Sequence, residues 1–136
     1  MMINWLKLLN YFYNWRQKLA EKTIALFNLP YFRWYLSAAL IANLINWLVA
    51  LLINKKLSQN LVILHYNVNL GINLIGQAEK IYILPLVGFI FIIINFSLLI
   101  SLSQQKFTVY LLMAAAILSN IFLLAGLASI YLINFK

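Results

Sequence analysis

The chain has 136 residues, of which 65% are hydrophobic and 9% charged, with a formal net charge of +8. So few charges cannot cover a water-soluble surface, and lipid is the expected solvent for most of the molecule. The ten Lys and Arg stand at the ends of apolar runs, which argues against nucleic acid as a partner and for the anionic head groups of a lipid bilayer.

Residues 3–28 have the period of an amphipathic helix. Trp5, Leu8, Leu9, Phe12, Trp15, Leu19, Leu26 and Phe27 share one half of the wheel, opposite Lys7, Asn10, Asn14, Gln17, Lys18, Glu21, Lys22 and Asn28. Arg16 falls outside this division, where its long stem can snorkel. Charge recurs too often here for a membrane span, so the helix is expected to lie in the membrane interface. The same charges and aromatic residues do not make a cleavable leader. Pro30 ends the helix, and Tyr31 to Trp34, with Arg33, form an aromatic belt at the membrane boundary.

The first expected span is 35–53, YLSAALIANLINWLVALLI, closed by Asn54, Lys55 and Lys56. At 1.5 Å per residue it matches the hydrocarbon core. The second, 81–102, carries Pro85 in its first turns, where a missing amide hydrogen costs least. A short turn over Ser103–Lys106 leads to the third, 107–133, which is long enough to cross with some tilt.

Between the first two spans, residues 57–80 form the one long loop. Within it, Asn67, Asn69, Gly71 and Asn73 alternate with Val68, Leu70, Ile72 and Leu74. That period of two predicts an extended segment or small hairpin, resting on the bilayer or capping the bundle. Gly71 and Gly76 permit bends or close backbone approach. His65, Tyr66, Asn67, Gly71, Asn73 and Gly76 are the candidate interaction surface of this loop. His65 itself reads as a partly buried loop histidine bonded to backbone.

Inside lipid, small and polar residues mark the faces on which helices meet. Ala39, Asn43, Asn46 and Ala50 fall on one stripe of the first span, Gly88 and Asn95 on one face of the second, and Thr108, Ala115, Ser119 and Gly126 on one stripe of the third. These stripes predict a close three-helix bundle with asparagine amides bonded across it. The competing reading has Asn43, Asn46, Asn95 and Asn120 lining a polar path. Packing is favoured because no span contains Asp, Glu, Lys, Arg or His.

Catalytic groupings are hard to assemble. The chain has one histidine, two acids and no cysteine, and no serine stands in a Gly-x-Ser-x-Gly turn. Glu79 suits the start of the second helix, where the helix dipole favours a negative charge. No cofactor or metal is expected.

The stretch 61–95, LVILHYNVNLGINLIGQAEKIYILPLVGFIFIIIN, resembles a set of small uncharacterised multi-pass membrane proteins of uncultured, small-genome bacteria. The resemblance rests on His65, Tyr66, Asn67, Gly71, Ile72, Gly76, Pro85, Gly88 and Asn95, while Asn73 stands where that pattern often has an acid. It implies a membrane location and a similar fold, and no activity.

The sequence therefore predicts a single all-α membrane domain over 1–136. An interfacial amphipathic helix precedes three transmembrane helices, with a short β-like segment in the 57–80 loop. Placing Lys7, Arg16, Lys18, Lys22, Arg33 and Lys106 in the cytoplasm leaves Lys55, Lys56, Lys80 and Lys136 outside. That balance favours a cytoplasmic N-terminus and an extracytoplasmic loop in the cell membrane. The expected function is a non-enzymatic subunit docking to a membrane-protein partner or to copies of itself. A small oligomeric channel or transporter subunit is the alternative, and a lipid-acting enzyme using His65 is the least favoured.

Overall fold

The structure, a computed structural model, describes residues 5–57, 61–67, 69, 71–102 and 105–135. Their elements run α1 (Trp5–Phe27), α2 (Phe32–Lys56), β1 (Leu61–Asn67), β2 (Gly71–Gln77), a 3-10 helix (Ala78–Tyr82), α3 (Ile83–Leu102) and α4 (Lys106–Asn134). Three helical segments, Phe32–Lys56, Ala78–Leu102 and Lys106–Asn134, are long and apolar enough to cross a membrane. They fit an integral, multi-pass membrane protein.

Helix α2 extends past both ends of the run expected at 35–53, reaching Phe32 and Lys56. Lys55 and Lys56 occupy its last turn, where cations complement the helix dipole. The α-helical part of the second span starts later than expected, at Ile83, because residues 78–82 wind as a 3-10 turn. Glu79 therefore lies in the first turn of that 3-10 segment rather than of α3. Of the turn expected over Ser103–Lys106, residues 103 and 104 lie outside the described residues.

The core follows from side-chain spacing. Helix α2 buries Phe32, Ala39, Asn43, Asn46, Ala50 and Ile53. Helix α3 buries Pro85, Gly88, Ile92, Asn95 and Leu99, and α4 buries Val109, Met113, Ala116, Asn120, Leu127 and Ile130. Steps of three and four residues place each set on one seam. The seams meet in layers. Leu26, Phe32, Leu99, Val109 and Met113 close one end. Ala39, Ile92 and Ala116 fill the middle. Ala50, Ile53, Val62, Ile81, Leu127 and Ile130 close the other end. Along the outside, Ile41, Leu52, Leu111 and Phe122 are exposed, as lipid-facing side chains would be.

Helix α1 is buried at a single residue, Leu26, near its C-terminal end. The chain turns there through short backbone bonds from Leu29 N to Leu26 O and from Phe32 N to Leu29 O. Phe27 meets Phe32 edge-on, with ring centroids 5.0 Å apart. Leu19 and Thr23 are partly buried, and the rest of α1 is exposed on both faces, Trp5, Leu9, Phe12 and Trp15 included.

Strands β1 and β2 pair antiparallel, from Leu61 opposite Gln77 to Asn67 opposite Gly71. The register is irregular on both sides of His65, which faces Leu74. Leu64 is thus an extra residue on β1 and Asn73 on β2, as in β-bulges. Gly71 enters β2 with φ +73°, a left-handed conformation that favours glycine. The alternation at 67–74 therefore spans the reversal of the chain instead of one uninterrupted strand.

Candidate functional site

Two groups of polar side chains stand out, one inside the bundle and one where the hairpin meets it. The inner group centres on Asn120, which is fully buried. Its Oδ1 accepts from Asn43 Nδ2 at 3.0 Å and from Asn46 Nδ2 at 3.2 Å. Asn43 Nδ2 also donates to the Pro85 carbonyl at 2.8 Å, and Asn46 Nδ2 to the Asn120 carbonyl at 3.0 Å. Asn120 Nδ2 donates to the Ala116 carbonyl of its own helix at 2.9 Å and reaches the Gly88 carbonyl at 3.5 Å. A single node thus ties α2, α3 and α4 together.

The backbone of α3 makes room for this node. A Cβ placed on Gly88 would stand 2.5 Å from Asn120 Oδ1 and 2.8 Å from Asn43 Nδ2. Only glycine lets the three helices approach this closely with the amides between them. Amide groups this deep have no water to bond, so mutual pairing satisfies most of their demand. Asn46 Oδ1 is the exception, since it is buried without a hydrogen-bond partner.

Not every residue on the expected packing stripes joins the node. Ala39 packs in the middle layer. Asn95 is buried, but its Nδ2 donates to the Phe91 carbonyl of its own helix at 2.8 Å, so the bond expected across the bundle is made within one turn. On α4 the buried seam is displaced by one residue from the expected stripe. Ala115, Ser119 and Gly126 lie half-buried at its margin, and Ser119 Oγ donates to the Ala115 carbonyl at 2.7 Å. Thr108 bonds Gln105 Oε1 at an exposed position. On the seam itself, Met113 packs with Phe32 and Leu99, Ala116 with Ala39 and Ile92, and Leu127 with Ala50 and Ile53.

The outer group fixes the hairpin. Asn134, at the end of α4, uses both ends of its amide on one residue of β1. Its Oδ1 accepts from Ile63 N at 2.9 Å and its Nδ2 donates to Ile63 O at 2.9 Å. The side chain takes the place of a neighbouring strand on that edge, beside the bulge at Leu64. Asn54 Nδ2 donates to Tyr82 Oη at 2.8 Å, and Tyr82 stacks on Trp47. Lys56 Nζ donates to Tyr131 Oη at 2.8 Å and stands 5.0 Å from the ring centroids of both Tyr131 and Phe135. None of these outer contacts was singled out from sequence. Asn134 follows Asn120 by fourteen residues, two heptads along nearly the same face, and that spacing is the signal that could have found it.

In the hairpin, His65 is exposed on β1, in contrast to the partly buried loop position expected for it. Gly76 is buried, and a Cβ there would stand 2.6 Å from Leu64 Cδ1 and 3.1 Å from Lys80 Cδ. Its close approach is therefore to side chains packed over β2. The side chains of Tyr66, Asn67 and Asn73 lie outside the described residues. Among the described residues, no three His, Cys, Asp or Glu side chains are grouped to hold a metal ion.

Compared with protein-family models, curated proteins and solved structures, the chain has no match in any of the three.

Proposed function

We propose that this chain is a non-enzymatic docking subunit of a complex in the cell membrane, presenting its hairpin to a membrane-protein partner or to a second copy. The observation that carries the reading is the pairing of Asn134 with Ile63, which holds a two-stranded sheet on the end of the bundle. A free hairpin is marginal in water. This one is anchored by buried Val62 while Ile72, Leu74 and Ile75 stay about half exposed, a combination that suits recognition at a membrane surface. In the same proposal the N-terminus is cytoplasmic, α1 lies in the cytoplasmic interface and the hairpin is outside. The three membrane-length helices support the membrane setting.

Purification in a mild detergent tests it. A defined complex or homo-oligomer is expected, and Ile72→Lys should release it while leaving the chain in the membrane. A monodisperse monomer without a reproducible partner would overturn the proposal.

The rival reading, an oligomeric channel or transporter subunit, draws on the unpartnered Asn46 Oδ1. Solute flux in liposomes that Asn46→Leu abolishes would favour it, and no flux would remove it.

A further inference from the structure

A second feature of the hairpin end concerns lipid rather than protein. An open groove of about 600 Å³ runs between the hairpin and helices α3 and α4, within the size range of small-molecule sites. Leu64 and Leu74 wall it from the hairpin, Leu84 from α3, and Gly126 leaves it open on the α4 side. Lys80 and His65 line its polar end. The two glycines shape it. Gly76 lets the Lys80 stem lie against β2, and a Cβ on Gly126 would meet only Leu84 Cδ2, at 3.8 Å.

The groove is lined by Lys80 of the 3-10 turn and by Ile83 and Leu84 at the apolar start of α3. We infer that it holds one anionic phospholipid, with the phosphate at Lys80 and an acyl chain along Leu84 past Gly126. This inference rests on the membrane reading above. Charge complementarity selects the lipid: Lys80 is an exposed cation at the mouth of an apolar slot, and the neighbouring Glu79 is not one of the groove's walls. A second copy of this net-basic chain would bring more positive charge to the same place.

The test is native mass spectrometry of the full chain released from non-ionic detergent, titrated with phosphatidylglycerol or phosphatidylcholine of identical acyl chains. One tightly retained phosphatidylglycerol is expected, in preference to phosphatidylcholine. Lys80→Gln should weaken that retention about fivefold, while Lys18→Gln, on exposed α1, should not. Gly126→Leu fills the slot and should remove the tight equivalent of either lipid. Equal retention by wild type, Lys80→Gln and Gly126→Leu would overturn the inference, as would equal losses in Lys80→Gln and Lys18→Gln. A dimer that Gly126→Leu converts to monomer would instead assign the groove to a second copy. Alkaline carbonate extraction of the same membranes separates the two levels. A chain that resists extraction yet shows no preferred lipid defeats only this inference, whereas a chain that is stripped off defeats the membrane reading itself.

Discussion

Asn120 is the residue on which the packing of the three long helices turns, because its side-chain oxygen is shared by amides from α2. Asn120→Leu removes that acceptor. Asn43 keeps the Pro85 carbonyl and Asn46 keeps the Asn120 backbone carbonyl, so the expected loss is about 1–2 kcal/mol rather than the full cost of two orphaned amides. Gly88→Ala should cost at least as much, since its Cβ meets two node atoms inside contact distance. Asn95→Leu should stay within about 0.5 kcal/mol, because that amide bonds only its own helix. Reversible unfolding in mixed micelles checks all three, and equal losses for Asn95→Leu and Asn120→Leu would refute the node. Asn43 and Asn46 were legible in sequence because their spacing with Ala39 and Ala50 defines one face. Which amide accepts and which donates was not legible. That depends on the rotation of α4 about its axis, which composition alone does not determine.

Among the elements, the hairpin depends most on contacts outside itself. Its strands are irregularly paired around His65, and one edge of β1 is completed by the Asn134 side chain. Asn134→Leu keeps α4 apolar and helical but removes both bonds. Hydrogen exchange at the Ile63 amide should then rise about tenfold, while amides in the middle of α2 and α4 remain protected. Unchanged exchange at Ile63 would mean that strand pairing alone holds the edge. Sequence alternation pointed to an extended segment or small hairpin within 57–80, with Gly71 able to bend, but not to the irregular pairing around His65. The φ of +73° at Gly71 and the bulge residues interrupt the period that made the segment visible. On α4, choosing small residues as the packing face displaced the stripe by one position. In this bundle the α4 seam mixes small and large residues, Ala116 against Ala39 in the middle layer and Met113 and Leu127 towards the two ends.

For the whole molecule, apolar length and the scarcity of charge were enough to count three membrane-length helices, because an uninterrupted apolar run of about twenty residues satisfies its own backbone in lipid when it winds as a helix. The setting of α1 was less legible, since an amphipathic period does not say what the apolar face meets, and only Leu26 is buried within the molecule. The central claim is that α2, α3 and α4 cross a bilayer around the asparagine node. It is tested most directly by single cysteines introduced into this cysteine-free chain, at Gln77 before α3 and at Gln105 after it, both exposed. In intact cells, a membrane-impermeant thiol reagent should label Gln77→Cys, and Gln105→Cys only after the membrane is opened. Labelling of both from the same side would contradict the account.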